Sequence, residues 1–274
     1  MHVQISELEE LDLKSRRGLE EIWHGSLHIS DFCFSELDTL TVDNCQFLSD
    51  TVIPFHLLPL LPKLETLQVR NCDSVKTVFD VQSTTEGTLI TFPLKKLVLS
   101  KLPNLENVWN EESHGILCMQ HLEEVHVEEC KGLTSVFPAS VAKDLMKLEH
   151  LVVEDCEGLT AIVAEKCDED EEIIFERLQV LYLKRIQELT CFYAGNFTLS
   201  FPSLEEVHVI KCSSMKTFSA VNKIDHPTKW YCSEDAKPRE ESDLNSAVRR
   251  TSEEEVRILF NLLCSTENDM IIGV

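Results

Sequence analysis

Apolar residues recur along the chain in one frame, at offsets 0, 3, 5, 8 and 11 from a leucine. The frame starts at Leu8, Leu37, Leu64, Leu94, Leu122, Leu148, Leu178 and Leu204, at intervals of 26 to 30 residues. Every framework position is apolar except Arg16, far above the 43% hydrophobic background of the chain. Offsets 3 and 5 lie two apart and point to one side of a short strand, while offsets 4 and 6 point to the other. After offset 8 the chain must turn away and return along the outside, so the next unit stacks alongside. One coil cannot bury its leucines alone, whereas stacked coils share a continuous core.

The frame reads L-x-x-L-x-L/V-x-x-C/L-x-x-L, the leucine-rich-repeat pattern. It predicts an α/β solenoid of horseshoe type. Short parallel strands line the concave face, and the convex side is irregular or short-helical. Residues 1–221 are expected to form about eight such repeats, followed by a polar linker over 222–251 that carries Pro227 and Pro238. Ser252-Glu253-Glu254-Glu255 is a capping-box signal. It predicts an amphipathic C-terminal helix over 252–264 with Val256, Leu259, Phe260 and Leu263 on one stripe, placed to cap the last coil, and then a tail over 265–274.

Five units carry cysteine at offset 8: Cys45, Cys72, Cys130, Cys156 and Cys212. The other three carry Arg16, Leu102 and Ile186 there, and those three share an aromatic at offset 15: Trp23, Trp109 and Tyr193. A period of three units is therefore superposed on the single repeat. Small buried thiols at the turn after each strand account for most of the 11 cysteines.

Composition narrows the function classes. With 48 acidic against 25 basic side chains the formal net charge is −23, which argues against nucleic acid as a partner. No stretch is long and apolar enough to span a membrane, and the start lacks the apolar run of a signal peptide, so a cytoplasmic setting with reduced thiols is expected. No C-x2-C or C-x4-C pair, H-E-x-x-H or nucleophile–base spacing occurs, so neither a metal nor a catalytic site is expected. The acidic run from Cys167 to Glu172 reads as a solvated loop on the convex side.

Function is expected on the outward side of the strands. At offset 4 the column reads Asp12, Thr41, Gln68, Val98, His126, Val152, Tyr182, His208. Offsets 6 and 7 carry an acidic band, Glu128, Glu129, Glu154 and Asp155, between basic stretches at Arg70 and Lys101 on one side and Lys184, Arg185 and Lys211 on the other. The candidate protein-binding strip is His126, Val152, Tyr182 and His208, with the charge bands setting orientation and the acidic band suited to a basic protein surface.

The units LETLQVRNCDSVKTVF, LEEVHVEECKGLTSVFP and LEHLVVEDCEGLTAIV, alternating with LVLSKLPNLENVWN, resemble the C-terminal repeats of plant coiled-coil, nucleotide-binding, leucine-rich-repeat disease-resistance proteins. The resemblance covers about residues 1–232. It implies a non-enzymatic module for recognising a pathogen effector or a guarded host protein, which also restrains an upstream nucleotide-binding domain. The chain has no G-x-x-x-x-G-K-[ST] loop, so no cofactor is expected in it, and ATP or ADP would belong to such an upstream domain. A fragment or truncated form of a longer receptor is the expectation. The alternative class is the substrate-receptor half of an F-box ubiquitin ligase, which also uses cysteine-bearing repeats but places a helical F-box before them.

Overall fold

The computed structural model describes residues 8–14, 34–45, 50–80, 90–110, 117–164, 172–235, 237–254 and 256–257. Trp23, most of the Cys167–Glu172 run, and the expected helix and tail beyond 257 lie outside the described residues.

The chain forms a stack of coils around one leucine core, with a ten-stranded sheet along one side. We number its strands β1 (Glu10–Lys14), β2 (Thr39–Asp43), β3 (Thr66–Arg70), β4 (Lys96–Ser100), β5 (Glu124–Glu128), β6 (His150–Glu154), β7 (Val180–Lys184), β8 (Glu206–Ile210), β9 (Thr228–Tyr231) and β10 (Arg239–Glu241). Strands β1 to β8 each occupy offsets 2 to 6 of one unit, and β1 to β9 pair in parallel in sequence order. The register joins like offsets throughout: Leu67 faces Leu97, and Val125 faces Leu151. Leu40, Leu67, Leu97, Leu151 and Leu181 are therefore fully buried in one row. Burying a leucine side chain contributes about 1.5–3 kcal/mol, and each row is shared between neighbouring coils. This is the leucine-rich-repeat solenoid.

The convex side is more strand-like than the short-helical expectation. Short parallel strands stack there too, in sets such as Thr51–Pro54, Thr77–Asp80 and Asn107–Trp109, or Ser135–Phe137, Ala161–Val163 and Cys191–Tyr193. Two short helical pieces, a 3-10 turn at Phe55–Leu60 and an α turn at Ala139–Ala142, are the helices described between these strands. Packing explains the preference. Phe79, Trp109 and Phe137 all stand at offset 15 and stack ring on ring, with centroids 6.0 and 5.4 Å apart. The aromatic column is thus longer than the three-unit period alone suggests.

The turns after β2 to β8 follow one rule. Asn44, Asn71, Lys101, Glu129, Asp155, Arg185 and Lys211, all at offset 7, have φ between 51° and 57°. A left-handed residue other than glycine costs roughly 1–2 kcal/mol, less for Asn, and here that cost is offset locally. Each of these amides from Asn44 to Arg185 donates to the offset-6 carbonyl of the next coil, at 2.9 to 3.1 Å. The cysteine that follows donates its thiol to a carbonyl: Cys45 to Leu13 at 3.1 Å, Cys72 to Arg70 at 3.1 Å, and Cys156 to Glu154 at 3.2 Å. All five offset-8 cysteines are buried and outside any disulfide. Burial pushes the Cys72 thiol up to about 11, and the neighbouring Cys156, with burial adding to the effect, raises that of Cys130.

The stretch 222–251, expected as a polar linker, is folded instead. Strand Val221–Ile224 continues the convex side, β9 adds a ninth coil, and β10 pairs antiparallel with β9 across Trp230 and Arg239. The helix begins at residue 244, not 252. Asp243 starts it, accepting from the Asn245 amide at 3.0 Å and from the Ser246 hydroxyl. Its buried stripe is Leu244, Ala247, Val248 and Thr251, while Val256 is 64% exposed. The sequence looks like linker here because a terminal coil packs against a neighbour on one side only, so half its framework positions need not be apolar.

Candidate protein-binding face

The alternation of the strands turns offset 4 outward while offsets 3 and 5 are held in the core. The register then brings the candidate strip together. His126 faces Val152, Val152 faces Tyr182, and Tyr182 faces His208 on adjacent strands β5 to β8. The row continues one strand further than the sequence reading placed it, because His208 faces Tyr231 of β9. Tyr182 and His208 have ring centroids 5.0 Å apart, and His208 and Tyr231 stack in parallel at 4.1 Å. Tyr231 falls outside the repeat frame because its strand lies in a polar, proline-bearing segment; the aromatic pair Trp230-Tyr231 is the signal that marks it.

The charges flanking the row are arranged across coils. Lys184 lies 3.7 Å from Glu154 and also pairs with Glu234, beyond β9. Arg185 grips Asp155 with both arms of its guanidinium, holding that carboxyl below the usual range. Lys101 lies 3.8 Å from Glu129. The acidic band is therefore neutralised at its edges by the basic stretches beside it. Glu128 differs: its partner is the Ser100 hydroxyl at 3.1 Å, and among the described residues no cation lies within ion-pair distance of it. Toward the C-terminal end, Glu206 is held low by Lys229 at 3.1 Å. Burial lowers the His208 imidazole despite the Glu206 carboxylate 3.7 Å away, which favours its neutral form.

The end of the sheet is closed by the helix. Trp230 Nε1 donates to Thr251 Oγ1 at 2.9 Å. Asn245 Oδ1 accepts from the Phe218 amide at 2.7 Å and the Thr217 hydroxyl at 2.8 Å, and Asn245 Nδ2 donates to the Ser219 carbonyl at 2.9 Å. One side chain thus supplies the hydrogen bonds that the backbone of a further coil would have made.

Among the described residues no group of three His, Cys, Asp or Glu is placed to hold a metal ion, and no helix is long and apolar enough to cross a membrane. The stacked coils and their outward side-chain columns define a leucine-rich-repeat module of the recognition type, a class generally without catalysis of its own. Comparison with known families gives its lineage. The chain belongs to the family described as plant disease resistance protein RPS2-like, leucine-rich repeats, which matches residues 7–157 and 148–223. No curated protein and no solved structure matches the chain.

Proposed function

We propose that the chain recognises another protein through the concave row His126, Val152, Tyr182, His208 and Tyr231, as the sensing or restraining repeat region of an intracellular plant immune receptor. The observation that supports this most directly is the continuity of the row. Five outward side chains, mostly aromatic or apolar, stand on five adjacent strands, where a merely solvated face needs only polar ones. The flanking carboxylates Glu128, Glu129, Glu154 and Asp155 set the orientation of the partner. A pathogen effector, a guarded host protein or a nucleotide-binding domain of the same receptor fits this face, in the cytoplasm.

The test is affinity capture from plant tissue with the wild type, Tyr182→Ala/Tyr231→Ala, Glu154→Lys, and Lys223→Ala on the convex strand Val221–Ile224. Proteins captured by the wild type and by Lys223→Ala should be lost by the concave variants. Retention of every captured protein by both concave variants would overturn the reading.

A further inference from the structure

The outward face changes character at its C-terminal end. Offset 6 points outward, and on β1 to β7 it carries only polar or charged side chains, from Lys14 to Lys184, none of them buried. On β8 the same position is Ile210, and it is 3% exposed. An apolar side chain on the solvated side of a sheet needs cover from beyond its own strand.

That cover comes from the chain itself. Ile210 stands in register with Lys184 on β7. The Lys184 ammonium pairs with Glu234, three residues past the end of β9. Strands β7 and β9 are two spacings apart, about 9.6 Å, so the pair reaches across β8 at the level of Ile210. Cys232 packs against the core, which anchors the chain just before the crossing. Lys184, with Lys211 and Arg185 adding to its field, holds the Glu234 carboxyl below the usual carboxylate range. The Glu234 side chain is nevertheless 59% exposed, so the pair is open to water and to competing groups.

We propose that residues 233–235, hinged on Cys232, form a clasp over the C-terminal end of the concave row, closed by the Lys184–Glu234 pair. Opening the clasp bares Ile210 on the strand that carries His208, and gives the row a further apolar contact where it ends. An ion pair this exposed shifts an open–closed balance by about two- to fivefold. That is firm enough to keep Ile210 covered most of the time and weak enough for a bound protein to displace. The clasp as a guard of the row rests on the concave-face reading above; the clasp as a contact does not.

The experiment is methyl NMR of the full chain, with labelled isoleucines and the soluble paramagnetic probe TEMPOL. Ile186, fully buried, and Ile174, 38% exposed, set the two ends of the scale. In the wild type Ile210 should relax close to Ile186. In Glu234→Lys, which sets like charges against each other at Lys184, the probe's effect on Ile210 should rise at least twofold toward Ile174, while Ile186 stays shielded. Glu234→Gln removes the charge with little change of shape; it should give a smaller rise and carries the test if the lysine variant fails to fold. The opened variants should also capture at least twofold more of the proteins that Tyr182→Ala/Tyr231→Ala loses. An Ile210 methyl as shielded in the variants as in the wild type would overturn the clasp. An Ile210 that opens with no gain in capture would overturn its guarding role and leave the recognition face standing. If Tyr182→Ala/Tyr231→Ala loses no captured protein, the recognition face and the guard fall together, whatever Ile210 does.

Discussion

Replacing Asn245 with alanine should uncap the C-terminal end of the solenoid. The side chain makes three short hydrogen bonds, to the Phe218 amide, the Thr217 hydroxyl and the Ser219 carbonyl, and a longer one of 3.4 Å from the Ser219 amide. Phe218 and Ser219 are fully buried, so water cannot replace the lost partner without opening the coil. An unsatisfied buried polar group costs about 1–3 kcal/mol. Two main-chain groups dominate, because the Thr217 hydroxyl can turn toward the Ser219 carbonyl 3.2 Å away. The expected loss is about 2–4 kcal/mol. Asn245→Asp keeps the acceptor and removes the donor, and should fall between alanine and wild type. Urea unfolding followed by circular dichroism reads the total, with Lys237→Ala on the exposed hairpin as control. Native-state hydrogen exchange reads the place, since the Phe192 and Tyr193 amides both donate to the Phe218 carbonyl and should lose protection first. An Asn245→Ala midpoint equal to that of Lys237→Ala, with those amides still protected, would refute the capping argument.

Three further outcomes follow from the coil geometry. Gly158→Ala puts a Cβ 2.4 Å from the Lys131 carbonyl oxygen, so the coil backbone must shift; a loss of about 1–3 kcal/mol is expected in the same urea assay. Asp155 is held below the usual carboxylate range by Arg185. Its contribution is present above the unfolded value near 4 and is lost as pH falls through the lower folded value; Asp155→Asn should therefore flatten the acid limb of the urea midpoint against pH. The thiols of Cys45, Cys72, Cys130 and Cys156 are buried, and the raised position of Cys72 near 11 leaves almost no thiolate at pH 8. Mass spectrometry after iodoacetamide treatment should find these four unmodified in the native protein and modified in urea.

The eight framework strands could be read from the sequence because their signal is redundant. Each of β1 to β8 falls at offsets 2 to 6 of its unit, and Leu67, Leu97 and Leu151 repeat the same instruction at the same offset. Four of the five side chains in the concave row followed from that frame by counting. Three features did not. The left-handed turns at offset 7 are occupied mostly by Lys101, Glu129, Arg185 and Lys211, residues that carry no local signal for that conformation; only Asn44, Asn71 and Asp155 hint at it. The ninth coil hides because Pro227 and Asp235 stand where a leucine and a cysteine would, and its core contact comes from Trp230 against Thr251 on the helix. The charge bands read as free surface because pairing between Asp155 and Arg185 depends on which coil sits beside which, 30 residues away.

The cap made by β9, β10 and the helix contacts the solenoid through the coil that ends at Phe218 and Ser219. Whole coils upstream of β7, whose Lys184 pairs with Glu234 just beyond β9, could be duplicated, deleted or exchanged between related genes without disturbing the described bonds of the cap. The array is then a scaffold whose recognition surface can be lengthened or reshuffled by recombination while its terminus stays constant. Such changes come in steps of one strand spacing, each adding one position to the outward row.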